Sequence, residues 1–200
     1  MDFLNYYKRK EIEEKIILSC KDKEVAVNLG EKGFAKRPNM LQYPGDVAEF
    51  AKDGATSFHL SEEHWRNPME LKPGMSKRIL DEIRIGWDLI LDVDSEKLED
   101  SKLITHYLVE ALKFNDVINI CVKYSGNKGF HVGVQYGSFP EIINGKKTKD
   151  EFPDGPKIIL NYLINMITPT LKKVYGDKLD EILKVDSVLI SSRHMYRAPY

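Results

Sequence analysis

The chain has 200 residues and a formal net charge of −1, so its size suits one domain; the near-neutral total neither favours nor excludes nucleic acid, which needs only a local basic face. A hydrophobic content of 42% with 10% aromatics allows a real core and excludes wholesale disorder. Its two cysteines, Cys20 and Cys121, exclude a four-cysteine zinc knuckle, and no stretch approaches the roughly 18 apolar residues of a membrane span.

Taken in order, residues 2–20 place Phe3, Tyr6, Tyr7, Ile12, Ile16 and Ile17 at helical spacing, which predicts one amphipathic helix with Lys8, Arg9 and Lys10 outside. Residues 23–27 read as a strand, the glycines at 30 and 33 as a turn, and residues 43–52 as a helix opened by Pro44. A strand is expected over 54–61 and a helix or turn over 76–84. Gly86-Trp87-Asp88-Leu89-Ile90-Leu91-Asp92-Val93-Asp94 then reads as a short buried strand ending in two carboxylates.

A helix is predicted over 101–114 and a second buried strand over 116–123. Residues 145–155 are polar and lysine-rich and read as an exposed loop. The apolar spacing over 156–175 predicts a helix that Pro169 should kink or end. A short helix over 177–184 and a strand over 185–191 complete the set. No repeat, low-complexity tract or long linker divides the chain, so a single domain over 1–200 is expected. The element order argues for an α+β class: a mixed, largely antiparallel sheet core flanked by helices. A soluble cytoplasmic or nucleoid-associated protein with reduced thiols follows from the cysteine usage and the lack of an apolar span.

Alternation along a strand puts Asp92 and Asp94 on one face, about 6.5 Å apart along the chain, a spacing that can bracket a pair of metal ions. Alone, an Asp-x-Asp is equally a solvated strand end. After the second strand comes Ser125-Gly126-Asn127-Lys128-Gly129-Phe130-His131, whose glycines, hydroxyl, cation and ring nitrogen compose an anion cradle. The same stretch also reads as a glycine hairpin with Ser125 and Lys128 facing water. Asp186 opens the last strand. His59, His64 and His106 have no ligand-like spacing, and Trp65, Trp87 and Phe58 read as core.

Strand-Asp-x-Asp, Ser-Gly-x-x-Gly-x-His and a further strand-borne Asp, in that order, resemble the catalytic subunit of archaeal and eukaryotic DNA primases and the wider primase-polymerase superfamily. The resemblance extends to Arg197-Ala198-Pro199 and to Gly54-Ala55-Thr56-Ser57-Phe58-His59. It implies a template-directed nucleotidyltransferase in which Asp92, Asp94 and Asp186 hold two divalent ions, Mg2+ or Mn2+. Ser125, Gly126, Lys128, Gly129, His131 and Arg197 would bind the nucleoside triphosphate, and Arg193, Lys36 and Arg37 the DNA template. A large primase subunit or another replication or repair protein is the partner class it implies.

The sequence departs from the family pattern twice. Between Asp94 and Ser125 there is one cysteine, Cys121, so no structural zinc is expected. The family continues past Arg-x-Pro into Ser-Leu-His, whereas this sequence stops at Tyr200; a truncated domain of impaired activity is the expectation. Within the superfamily, an end-joining repair polymerase or a catalytically weak nucleotide- or DNA-binding module is the alternative. Outside it stands a metal-dependent phosphodiesterase or glycosyltransferase using Asp-x-Asp.

Overall fold

A computed structural model describes residues 2–183, 185 and 190–200, and it shows helices combined with antiparallel sheets. The expected fold class is observed. The chain divides into two compact units, Met1–Gly86 with Arg193–Tyr200, and Trp87–Ser192.

In the first unit, the single helix expected over residues 2–20 is two: α1 (Phe3–Tyr7) and α2 (Lys10–Ser19). The break falls at Arg9, whose extended backbone caps α2, while the Asp2 carboxylate accepts the Asn5 N–H to cap α1. The turn lets Tyr7 point inward, edge-on to Phe58, as Ile12 and Ile16 do one turn apart on α2. Strands β1 (Val25–Asn28) and β2 (Ser57–Ser61) pair antiparallel, and α3 (Pro44–Lys52) starts at the expected proline. Val25, Val27, Phe58 and Leu60 pack against Tyr7, Ile16, Val47 and Ala51 to form the core.

The Tyr7 hydroxyl donates to the Thr56 carbonyl at 3.2 Å, and burial pushes its pKa up to about 12, only partly opposed by the positive charge of Arg197. Because the folded state holds this proton more tightly, its stabilisation is complete below pH 10 and is lost as pH rises towards 12. A rise from 10 to 12 corresponds to roughly 3 kcal/mol at the alkaline limit. We therefore expect the wild-type melting temperature to fall more steeply between pH 10 and 12 than that of Tyr7→Phe. Parallel slopes in the two proteins would refute this.

Beyond β2, strand β3 (Glu63–Trp65) pairs with β4 (Arg84–Trp87), which follows helix α4 (Lys77–Ile83). Trp65, Leu71 and Leu80 form a small second core there.

The second unit is built on β5 (Leu89–Asp94), β6 (Ile120–Gly126) and β7 (Gly129–Val134), antiparallel in the order β5-β7-β6. Helices α5 (Leu98–Phe114) and α6 (Asp154–Tyr175) cover one face, where Leu89, Leu91, Val93, Val132 and Val134 meet Ile104, Leu108, Leu163 and Ile167. The strand expected to be buried over 116–123 is β6, and it is an edge strand with none of its residues buried, because β7 takes the centre of the sheet.

Residues 145–155 are more than an exposed loop. They include β9 (Lys146–Lys147), which closes a small hairpin with the preceding β8 (Ile142–Ile143); the Thr148 carbonyl accepts the Trp87 indole N–H at 2.8 Å, and Phe152 is core. Helix α6 does not end at Pro169 but continues to Tyr175, with Leu160, Leu163, Ile167 and Leu171 holding both halves on the same core. A short α7 (Leu179–Ile182) closes the helical part, and β10 (Met195–Arg197) returns to the first unit to pair with β2. Among the described residues no helix is long and apolar enough to cross a membrane.

Candidate functional site

Strand β5 has its core-facing side set by Leu89, Leu91 and Val93, and the pleat turns Ile90, Asp92 and Asp94 to the opposite face. In register across β7, Asp92 stands opposite His131 and Asp94 opposite Gly129. The His131 ring, almost buried, brings Nε2 to 3.5 Å from Asp92 Oδ1. Asp92 is about a quarter exposed and Asp94 is exposed, which leaves both carboxylates within reach of an external partner.

The Ser125–His131 motif is the tip of the β6–β7 hairpin. Asn127 and Lys128 form the two-residue connection between Gly126 and Gly129, with Asn127 at φ 54° and Gly126 at φ 108°. A bulge between Tyr124 and Gly126 shifts the register and singles out Ser125. The Ser125 hydroxyl lies over the Cα of Gly129: a Cβ there would sit 2.5 Å from Ser125 Oγ, 3.0 Å from the Val93 carbonyl and 3.6 Å from Asp94 Cβ. Gly129 is thus required by close approach, and Ser125 is delivered to the side of Asp94. Gly129→Ala should cost about 1–3 kcal/mol by forcing that hydroxyl and a backbone carbonyl apart. A urea midpoint equal to the wild type would contradict it. Lys128 is exposed at the tip.

The bulge has a second effect, which sequence reading missed. It sets Lys123, not Tyr124, opposite His131, so Asp92, His131 and Lys123 form one row across three strands. The row carries an acid, an imidazole and a cation, a composition able to hold a charged oxygen ligand.

Other residues singled out in the sequence fall elsewhere. Asp186 lies outside the described residues. Val185, just before it, bridges Val93, the residue between the two strand carboxylates. Among the described residues, no group of three or more His, Cys, Asp or Glu side chains is placed to hold a metal. The carboxylates of Asp92 and Asp94 are still the hard oxygen donors that Mg2+ or Mn2+ prefers, so the donor type fits such an ion.

Arg197 is exposed on β10 of the first unit, in register with His59, which meets Ser57 Oγ at 3.1 Å and the Phe34 ring edge-on. In the same unit, Arg37 and Arg193 both grip the fully buried Glu24. Arg37 donates from Nε and Nη2 at 3.1 Å each, and Arg193 from Nε at 3.1 Å and Nη2 at 2.8 Å. The Glu24 carboxylate raises the pKa of Arg193 above its ordinary value. Both guanidiniums, expected beside a template, therefore have a structural partner, whereas Lys36 is exposed.

No family model matches the chain. An uncharacterized protein of Methanocaldococcus jannaschii is 26% identical over 137 residues, which make up 67% of this chain and 29% of that protein. The chain thus spans less than a third of that relative's length. Among solved structures, the polymerase domain of ligase D from Mycobacterium tuberculosis, in complex with DNA, superposes with a TM-score of 0.65 at 13% identity, covering 99% of this chain and 74% of that one. At that identity the likeness is one of fold.

Proposed function

We propose that the chain is a nucleotidyltransferase domain of the primase-polymerase superfamily, adding nucleotides to a strand on a DNA template. The observation that carries this reading is the shared face of β5 and β7. Asp92 and Asp94 stand there with His131 in cross-strand contact and Ser125 folded over Gly129. The fold likeness to a polymerase domain supports it.

In this reading Asp92, Asp94 and Asp186 hold the divalent ions; the bridge from Val185 to Val93 is what supports counting Asp186 with the other two. Mg2+ or Mn2+ bound there supplies charge stabilisation for phosphoryl transfer and a lowered pKa for the attacking hydroxyl. His131, fixed beside Asp92, orients that carboxylate and offers a proton donor to a triphosphate oxygen. Ser125, Gly126, Lys128 and Gly129 contribute a hydroxyl, backbone amides and a positive charge for the same triphosphate. Arg197 is assigned to nucleotide, and Lys36, Arg37 and Arg193 to template phosphates. The residues 1–200 act as one catalytic domain in the cytoplasm or at the nucleoid.

A second reading, an end-joining repair polymerase of the same superfamily, is favoured specifically by the fold likeness to the ligase D domain. The test is incubation with a primed template, labelled nucleotides and Mn2+. Extension of the primer supports the reading, and extension across two ends held by a short overlap selects the repair role. Shortening of the strand without extension would sink both and favour a phosphodiesterase.

A further inference from the structure

We propose that Lys23 and Glu24, neighbours just ahead of β1, are positioning residues for Arg197: they tie down the strand that carries this guanidinium, and through it they set the affinity for nucleotide. The inference deepens the reading above and rests on its assignment of Arg197 to nucleotide.

Strand β10 has little backbone pairing of its own. It is three residues long and lies at one edge of its sheet, where among the described strands it pairs with β2 alone. A strand so short opens readily unless side chains hold it. Here two consecutive residues supply the ties. Lys23, 3% exposed, donates from Nζ to the Tyr196 hydroxyl at 2.9 Å. Glu24 accepts from Arg193, two residues ahead of the strand, whose Nη1 also donates to the Lys72 carbonyl at 2.9 Å. Burying an ammonium and a carboxylate side by side is costly unless each meets a specific partner. Both find one in the same short segment.

The consequence falls on Arg197. On either side of it, Tyr196 packs on the core of the first unit, and Ala198 is buried with its N–H donating to the Phe58 carbonyl at 2.8 Å. Alternation therefore sends the Arg197 side chain to the opposite face of the sheet, in register with His59. A guanidinium carried on backbone that is already fixed gives up less freedom when it meets a ligand.

Two measurements on the full chain test this. Tyr196→Phe and Lys23→Met each remove one bond of the anchor, and Glu24→Gln removes the charge that holds Arg193. In each variant the Ala198 amide should exchange with deuterium faster than in the wild type. In primer extension each should raise the KM for nucleotide about three- to tenfold, with kcat within about twofold of the wild type. In an Arg197→Ala background none of the three should raise KM further, because they act only through that guanidinium. Should Glu24→Gln not fold, Tyr196→Phe, which loses a single hydroxyl, carries the test. Unchanged exchange at Ala198 overturns the anchor. Faster exchange with an unchanged KM makes Lys23 and Glu24 structural only, and a KM increase that persists without Arg197 refutes the route through it. Arg197→Ala with a wild-type KM, in an otherwise active protein, removes Arg197 from the nucleotide site and sinks the proposal while leaving the polymerase reading in place.

Discussion

Replacing Asp92 by asparagine is expected to lower Mn2+-dependent nucleotide incorporation by about a thousandfold while shifting the melting temperature by only a few degrees. The first part rests on chemistry. Asparagine keeps the shape but loses the charge that would hold a divalent ion and organise the transferring phosphoryl group, and removal of one such electrostatic element costs about a hundred- to a thousandfold. The second part rests on position. Asp92 faces away from the core that Leu91 and Val93 build, and its contact with His131, at 3.5 Å, is long for an ion pair. A substitution of that kind costs about half a kcal/mol or less. Primer extension and a thermal melt on the same preparation decide the matter. Full activity in the variant would remove Asp92 from the site, and a collapse of stability would make it a structural residue.

The second large effect concerns stability. Arg84→Ala should destabilise the first unit by about 3–5 kcal/mol, the usual cost of breaking a buried ion pair from one side. Arg84 is 1% exposed; its Nε and Nη2 donate to Glu63 Oε1 at 2.9 and 2.7 Å, and its Nη1 donates to Asp81. The guanidinium also lies 5.6 Å from the centre of the Trp65 ring. Truncation strips the equally buried Glu63 of two charged hydrogen bonds and opens a void beside the indole. By contrast, Lys102→Ala, which removes an exposed pair with Glu99, should change stability by a few tenths of a kcal/mol. The chain's two tryptophans fall one in each unit, so in a Trp87→Phe background the fluorescence of Trp65 reports the first unit alone during urea unfolding. An Arg84→Ala midpoint no lower than that of Lys102→Ala would show the pair to be energetically idle.

What could be read from the chain was local. Pro44 announced α3, and the alternation Leu89, Leu91, Val93 against Asp92, Asp94 gave both the strand and the face its carboxylates occupy. Pairings distant in sequence could not be read. Arg37 and Arg193 carry positive charge wherever they are placed, and nothing near either of them indicates Glu24 as their partner. The bulge is a subtler case. A tight connection at Asn127 and Lys128 predicts a hairpin, but an unbulged register would place Tyr124 opposite His131. One extra residue substitutes Lys123 and so changes the charge beside the imidazole. The exposure of β6 was illegible for a similar reason: Ile120, Val122 and Tyr124 have the composition of a buried strand, and only the strand order makes it an edge.

The Glu24 side chain also bears on how the polypeptide is made. Its carboxylate is gripped by one arginine near the beginning of the chain and by another that follows the whole of the second unit. During vectorial synthesis the intervening unit is contiguous and has all its residues first, while the first unit waits for its last eight, β10 included. Until they emerge, a buried acid and the open edge of β2 are left to water or to a chaperone, so the segment that starts earliest is the one that matures last.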